Sequence, residues 1–272
     1  MLVLSRYFLK QQAYIFYHHP VKPDNDTSLR YHKETFDYHK LKPNNIDRIQ
    51  IDMIPDGSHV LEIGCSTGFM AEYLVQKKNC RYLGIEAETE PARVAQKRGL
   101  SVLPGFIEDV DIKRQINRHI AEFGPFQTIF MSQVIEHIAT PEQTLEAIKE
   151  WMHPDCTLVI STCSIAHWRC RFRLLWGIWR YEDFGVFDHS HLRFFTISSF
   201  RELLEQCNYS VVDFGYSFED ICPFKVLFGT RLIAPSDILR LIPFIGMRLR
   251  KGYTDLAKNL ISHQFVYKVR LP

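Results

Sequence analysis

The chain has 272 residues, of which 46% are hydrophobic and 24% are charged, and its formal net charge at pH 7 is +2. This length and composition fit one globular domain with insertions, large enough to bury a core without disulfide or metal cross-links. The nearly neutral charge argues against a protein that binds nucleic acid through bulk charge.

The chain is predicted to consist of an N-terminal arm, residues 1–45, and a main domain, residues 46–272. The main domain begins with alternating strand and helix patterns. Its predicted strands are "HVLEIGC", "RYLGIE", "LSVLPG", "FQTIFMSQ" and "CTLVISTC", and segments such as "GFMAEYLVQK" and "TPEQTLEAIKEWM" between them have helical patterns. Strands rich in Val, Ile and Leu that alternate with helices predict an α/β fold with a parallel sheet covered on both faces.

Two irregular regions interrupt this alternation and are predicted as insertions at about 165–190 and 218–260. The helix "TISSFRELLEQCN" and the strand "YSVVDFGYS" separate them, and the strand "SHQFVYKVRL" follows the second. The first insertion interleaves aromatic residues with arginines. The second is apolar and basic together, which favours helices that cover the sheet or form a homodimer. Peripheral contact with an anionic membrane surface is the alternative.

The first predicted strand ends at Glu62 and runs into a glycine-broken turn, "GCSTG". Small residues at Gly64, Ser66 and Gly68 let a ligand approach the backbone closely, but the turn does not match the dinucleotide pattern GxGxxG. The Glu62 carboxylate would repel a pyrophosphate and could accept from a cationic ammonium group. Glu86 ends the next strand, 86 − 64 = 22 residues after the first glycine, a spacing typical of a carboxylate that binds ribose hydroxyls. The turn therefore favours a ribose-bearing ligand with an amino-acid tail.

The stretches "VLEIGCSTG", "YLGIE" and "IFMSQVIEHIATPEQTLEAIKEWMHPDCTLVIST" resemble class I S-adenosylmethionine-dependent methyltransferases, over roughly residues 55–215. The resemblance implies a Rossmann-like, doubly wound, mostly parallel seven-stranded sheet with an antiparallel last strand, and S-adenosyl-L-methionine as the cofactor. In that family the glycine turn holds the methionine part and the ribose, and the loop after the third strand lies along the adenine. Phe106 stands where the family often has Asp, so it could stack on the adenine. The expected cofactor-binding residues are Glu62, Gly64, Cys65, Ser66, Gly68, Glu86, Phe106, Ile107, Ser132 and Gln133.

Histidines near the end of the fourth strand and in "DHSHLRFF" are the candidate catalytic bases. A histidine ordinarily titrates near about pH 6.5, which suits removal of a hydroxyl proton. His137 follows the fourth strand, whose end faces the methyl group in the family. His191 is the second candidate, and Asp188 is expected to orient it. A purely structural corner is the alternative for both histidines. A metal site of Asp188, His189 and His191 is less favoured, and no metal ligand is predicted.

"DHSHLRFFT" and the closing "SHQFVYKVR" resemble a methyltransferase subgroup found with bacterial polysaccharide biosynthesis enzymes. The resemblance implies O-methylation of a sugar hydroxyl on a glycan, a nucleotide sugar or a lipid-linked intermediate, by SN2 transfer assisted by a histidine base. The expected partner is thus a small-molecule or glycan acceptor, with no nucleic acid. Four aromatic residues of the first insertion could stack on the acceptor as a wall of its site, or could equally form a small hydrophobic core under a lid: Trp168, Trp176, Trp179 and Tyr181.

Three alternatives to this function remain at the level of the sequence. The acceptor could be a quinone-like phenol or another small metabolite. The protein could be an NAD(P)-dependent oxidoreductase, or a non-catalytic partner protein that binds S-adenosylmethionine. Seven cysteines, an odd number without CxxC spacing, indicate reduced thiols and a cytoplasmic location, with the second insertion able to contact the inner membrane face.

Overall fold

The computed structural model describes residues 31–32, 36–219 and 257–272, which form a seven-stranded sheet of order β3-β2-β1-β4-β5-β7-β6. The strands are β1 (His59–Ile63), β2 (Arg81–Glu86), β3 (Val102–Pro104), β4 (Thr128–Ser132), β5 (Thr157–Cys163), β6 (Ser210–Phe218) and β7 (Ser262–Arg270). Neighbouring strands pair in parallel from β3 to β5, whereas β7 is antiparallel to both β5 and β6. The predicted doubly wound sheet with an antiparallel last strand is confirmed.

Helices cover both faces of the sheet, as its doubly buried strands require. They are α1 (Ile46–Met53), α2 (Phe69–Lys78), α3 (Thr89–Lys97), α4 (Val110–Phe123), α5 (Pro141–Ile148), α6 (Trp168–Leu175) and α7 (Ile197–Gln206). Helices α1, α2 and α3 share one hydrophobic cluster with the sheet, and α4, α5 and α7 share the other. Short 3-10 helices lie at Tyr38–Lys40, Ile135–His137 and Lys149–Trp151.

Local sequence signals fix where several helices begin and how closely they pack. Thr196 and Ser199 form a reciprocal capping box at the start of α7. The Asn45 side chain accepts from the backbone amide of Asp47 and starts α1. A Cβ atom at Gly215 of β6 would lie 2.5 Å from Cγ2 of Ile49, so the glycine permits close contact between α1 and the sheet.

The first predicted insertion folds into α6 and an irregular segment that together enclose a small core. Cys163, Cys170, Val186 and Phe187 form that core. Trp168 is buried, and its indole N–H donates to the backbone carbonyl of Glu219 at 3.1 Å. Trp168 is therefore a packing residue, in keeping with the small-core alternative and not with a place in an acceptor wall.

The second predicted insertion falls largely outside the described residues, which stop at 219 and resume at 257. Within the part that is described, no helix is both long and apolar enough to cross a membrane.

Candidate active site

The site opens at the carboxyl ends of β1 and β4, which are adjacent strands. The chain leaves β1 toward β2 on one side and returns as β4 on the other. A doubly wound sheet has its ligand crevice at such a point, because the connections diverge above the strand ends.

The glycine turn after β1 is a left-handed backbone segment that contacts the end of β4. Gly64, Ser66 and Gly68 have φ angles of +74°, +48° and +73°. A Cβ atom at Gly64 would clash with Val134, and one at Gly68 would clash with Leu100. Both glycines are therefore required by packing and by backbone conformation, and the absence of side chains also leaves the backbone open to a ligand.

Glu62 is a buried carboxyl group that is hydrogen-bonded to Tyr82. Its side chain is only 2% exposed and accepts a 2.7 Å hydrogen bond from the hydroxyl of Tyr82. Burial raises the pKa of Glu62 to about 8; the Tyr82 hydrogen bond lowers it in part, and the charge of Glu86 raises it further. A bound ammonium group would favour the ionised form, so the buried acid fits the predicted contact with an amino-acid tail.

Tyr82 and Gly84 are site residues that the sequence reasoning missed. Glu62 pairs with Gly84 in the β1–β2 register. Tyr82 and Gly84 lie on one face of β2, and a Cβ atom at Gly84 would lie 2.6 Å from the Tyr82 hydroxyl and 2.9 Å from Sγ of Cys65. The missing side chain at Gly84 therefore makes room for the Tyr82 hydroxyl to reach Glu62.

Glu86 links the end of β2 to the glycine turn. Its carboxylate accepts from the backbone amides of Ser66 at 2.6 Å and Glu88 at 2.9 Å. Burial raises the pKa of Glu86, and these backbone hydrogen bonds partly oppose that rise. A carboxylate has about four lone-pair positions, so two remain for ribose hydroxyls. Ser66 and Glu86, predicted separately, thus form one unit.

The remaining predicted cofactor-binding residues, in the loops after β3 and β4, differ in the groups that they offer to a ligand. Phe106, after β3, is 59% exposed and offers a flat ring for an adenine, whereas Ile107 is buried in the core. Ser132 ends β4, and Gln133 follows it with a φ of +54°. The Gln133 amide donates to Ser161 and accepts from Gln264, both at 2.9 Å. The Gln133 side chain is therefore held by β5 and β7. If Gln133 contacts the cofactor as predicted, it would do so through its backbone.

The fold brings the two predicted bases together although 54 residues separate them. The ring centroids of His137 and His191 lie 4.8 Å apart. Nδ1 of His137 lies 3.3 Å from the carbonyl oxygen of Ser190, and Nδ1 of His191 lies 3.1 Å from that of Val186. A carbonyl only accepts, so both Nδ1 atoms carry the proton and the basic lone pair of each ring is at Nε2.

Glu136, beside His137 in the same 3-10 helix, is 1% exposed. Among the described residues, neither of its carboxylate oxygens has a hydrogen-bond partner. Burial raises the pKa of Glu136 to about 7, and the nearby Thr162 side chain and the backbones of Glu136 and Cys163 lower it only in part. Glu136 is therefore a buried carboxylate directly beside the two histidines.

The loop that carries His191 is clamped to the segment after β4. The backbone amides of Leu192 and Arg193 donate to the carbonyl of Glu136 at 2.8 and 3.0 Å. The Arg193 guanidinium donates to the carbonyl of Ala139 at 3.0 Å. These contacts hold the two histidine-bearing segments in a fixed relation.

Asp188 shapes this loop from within. Its carboxylate accepts from the amide and hydroxyl of Ser190 at 2.8 and 2.6 Å, and from the Tyr31 hydroxyl at 2.8 Å. The carbonyl at Nδ1 of His191 comes from Val186. The contacts above show that Asp188 organises the turn that carries His191. Direct orientation of the His191 ring by Asp188 stays a prediction.

Aromatic rings lie beside the two histidines and form what is called the mouth of the site. The Tyr31 ring lies 6.3 Å from His137 and 6.0 Å from Phe184, in edge-to-face geometry. The Trp179 ring lies 5.2 Å from Phe194, and that ring lies 6.3 Å from His191. Trp176, Trp179, Tyr181 and Phe184 are all exposed. Trp179 and Phe184 therefore present aromatic surface near the histidines, through Phe194 and Tyr31.

Three arginines of the first insertion, Arg169, Arg171 and Arg173, have intramolecular partners. Arg173 pairs with Glu182 at 2.6 Å and lies over the Phe187 ring. Arg171 donates to the carbonyl of Ala166 at 2.7 Å. These contacts fold the insertion back on itself and onto its own core.

Comparison with known proteins gives partial matches to curated relatives. The chain is 27% identical over 126 residues to the ubiquinone biosynthesis O-methyltransferase of Xylella fastidiosa (strain M23), covering 46% of this chain and 50% of the relative. It is 30% identical over 133 residues to the enzyme of the same name from Actinobacillus pleuropneumoniae serotype 5b (strain L20), covering 46% and 55%. The chain thus spans about half the length of the curated relatives it matches.

Solved structures match over more of the chain at lower identity. A SAM-dependent methyltransferase from Archaeoglobus fulgidus has a TM-score of 0.52 at 12% identity, covering 82% of this chain and 90% of that one. The cyclopropane synthase MmaA2 from Mycobacterium tuberculosis also has a TM-score of 0.52 at 12% identity, covering 90% and 94%. At such identities the likeness establishes the fold.

The family assignment rests on a match to more than half of the chain. The family model described as "Methyltransferase domain" matches residues 36–213, from ahead of α1 into β6. This range contains the glycine turn, Glu86 and both histidines. The chain therefore belongs to the methyltransferase domain family.

Proposed function

We propose that the protein methylates a hydroxyl oxygen of a small acceptor that binds beside His137 and His191. The observation that carries this proposal is the convergence of the two imidazoles, 4.8 Å apart, next to the crevice at the end of β4. Both rings have their basic nitrogen fixed at Nε2 by a carbonyl at Nδ1. A hydroxyl acceptor needs such a base because its intrinsic acidity is low, whereas a thiolate or a free amine does not.

The protein's task is to align the acceptor and remove its proton. Bound S-adenosylmethionine supplies a methyl group on a sulfonium, so the new C–O bond forms as the C–S bond breaks and its electron pair stays on sulfur. The clamped loop and the aromatic mouth hold the acceptor oxygen in line with that methyl group. Nε2 of His191 or His137 takes the hydroxyl proton, which is later lost to solvent.

The first acceptor class is a phenol of the quinone-precursor type. The curated relatives are named ubiquinone biosynthesis O-methyltransferases, and the exposed rings around the mouth suit edge-to-face or stacked contact with a flat aromatic ring. The family match decides against the oxidoreductase alternative.

A sugar hydroxyl is the second acceptor class. It is supported by the resemblance of "DHSHLRFF" to methyltransferases of polysaccharide biosynthesis, and by exposed Trp176 and Trp179, whose rings could stack on a sugar face. The relatives' names favour the phenol over the sugar, so we place the sugar second.

The test is a screen of acceptors with S-adenosylmethionine, followed by release of S-adenosylhomocysteine and by the mass gain of one methyl group. The panel contains catechols and other phenols, nucleotide sugars, lipid-linked glycans, and an amine and a thiol series. We expect turnover with a hydroxyl acceptor, and a loss of about 10²–10⁴-fold in at least one of His137→Ala and His191→Ala. His189→Ala is the matched control, because His189 is an exposed histidine of the same loop. Turnover confined to the amine or thiol series would refute the proposal.

A further inference from the structure

Glu136, His137 and His191 bring their ligand-type atoms to one point. One such atom from each residue lies within 4.8 Å of the other two. Metal bonds to imidazole nitrogen and carboxylate oxygen are about 2.0–2.2 Å, which places tetrahedral ligand atoms about 3–3.5 Å apart. Small side-chain rotations would close that gap, because the two backbone segments are already held together by the amides of Leu192 and Arg193.

The Glu136 side chain provides an independent reason to expect a cation here. It is 1% exposed, and neither carboxylate oxygen has a hydrogen-bond partner in the described part of the chain. An uncompensated buried carboxylate is costly, so buried charges are usually paired or coordinate a metal. No Lys or Arg ion pair to Glu136 occurs among the described residues.

The tautomers of the two histidines are those of metal ligands. A ligating histidine typically donates its other ring N–H to a carbonyl or carboxylate, which fixes the ring and directs the lone pair to the metal. Nδ1 of His137 has the carbonyl of Ser190 in this role, and Nδ1 of His191 has the carbonyl of Val186.

We propose that Glu136, His137 and His191 bind a divalent transition-metal ion of the zinc, iron or cobalt class. Two imidazoles and one carboxylate suit these metals, whereas calcium and magnesium favour all-oxygen ligands. Three protein ligands leave an open coordination position. In a second step that rests on the proposed function, this position takes the acceptor's hydroxyl oxygen, and coordination promotes loss of its proton to solvent. The imidazoles then act as ligands, and the metal replaces them in activating the hydroxyl.

Metal binding is tested without any acceptor. Tag-free, chelator-treated protein is titrated with Co²⁺, followed by visible absorption, and with Zn²⁺, followed by calorimetry. We expect one ion per chain and no thiolate-to-cobalt charge-transfer band, because the ligands contain no cysteine. Glu136→Gln, His137→Ala and His191→Ala should each weaken binding at least about 10–100-fold. Glu136→Gln keeps the shape of the side chain, so thermal unfolding without metal should show an intact fold.

His189→Ala is the control for the same titration. The proposed ligand set leaves its affinity for Co²⁺ unchanged, whereas the set Asp188, His189 and His191 requires a loss comparable to that of His191→Ala. Absence of saturable one-to-one binding to the wild-type chain would overturn the proposal, as would unaltered affinity in Glu136→Gln or a loss of affinity in His189→Ala.

Turnover then separates the metal step from the proposed function. With an acceptor from the screen, chelator should reduce methyl transfer at least about 10-fold, and added Zn²⁺ or Co²⁺ should restore it. Metal binding without any methylated hydroxyl would refute the proposed function and leave the metal site standing. Full turnover in chelator would refute the metal step and leave the proposed function standing.

Discussion

Cofactor binding is expected to release close to one proton at pH 7, and the proton comes from Glu62. The pKa of this buried acid is raised to about 8, mainly by burial. At pH 7 about 0.9 of the Glu62 carboxyls are then protonated in the free protein. An ammonium group bound beside the carboxyl would favour its ionised form. The cofactor's own amine, with an ordinary pKa of about 7.7–8.0, takes up about 0.1 proton, so the net release is about 0.8.

The same ionisation makes affinity depend on pH. Tight binding needs an ionised Glu62 and a protonated ligand amine, and the product of these two fractions rises about 20-fold from pH 6 to pH 8 and falls above it. We therefore expect the dissociation constant for S-adenosylmethionine to fall about 20-fold over that range.

Calorimetry in buffers of different ionisation enthalpy measures both the proton count and the affinity. Glu62→Gln removes the titrating group and should abolish the proton release. Tyr82→Phe removes a hydrogen bond that lowers the pKa of Glu62, so its affinity optimum should move to higher pH. The reasoning about Glu62 is wrong if the wild-type chain and Glu62→Gln release the same number of protons at pH 7.

Three further substitutions test neighbouring parts of the structure. Gly84→Ala places a Cβ atom 2.6 Å from the Tyr82 hydroxyl and should disturb the hydrogen bond that lowers the pKa of Glu62. Calorimetry should then show cofactor binding weakened more at pH 7 than at pH 8.5, and equal weakening at both pH values would contradict this. Glu86→Gln replaces the acceptor of two backbone hydrogen bonds and should raise the dissociation constant about 10–100-fold; an unchanged constant would contradict its ribose role. Thr196→Ala removes the capping box of α7 and should cost about 1 kcal/mol in denaturant unfolding, without a change in affinity.

The sheet and the cofactor side of the site were predictable because their signals are local. The strand "HVLEIGC" and the helix "GFMAEYLVQK" became β1 and α2, since apolar runs and glycines mark such elements within a few residues. Glu86 could be located from its spacing alone, because one strand–helix–strand unit has a nearly fixed length. The relation of Tyr82 to Glu62 needed the β1–β2 register as well, which a single sequence does not supply.

The acceptor side was less predictable because its parts lie far apart in the chain. His137 and His191 could be named as candidates, but their proximity depends on how the loop after α6 docks onto the carbonyl of Glu136. The sequence left Trp168 open between an acceptor wall and a small core, since an aromatic residue in an irregular region carries no signal of which way its helix faces. Its burial follows from the contact with Glu219 at the end of β6.

Glu136 is the residue that distinguishes a histidine-base mechanism from a metal site at His137 and His191. A histidine base needs a fixed tautomer, and the carbonyls of Ser190 and Val186 provide it without a carboxylate. A base mechanism therefore gives no reason to keep an unpaired carboxylate 1% exposed beside the rings, at a cost in stability. A metal ion supplies that reason, because the Glu136 carboxylate is costly while it is unpaired and becomes a ligand when the metal ion is bound. The same arrangement explains why two histidines converge where one base would suffice.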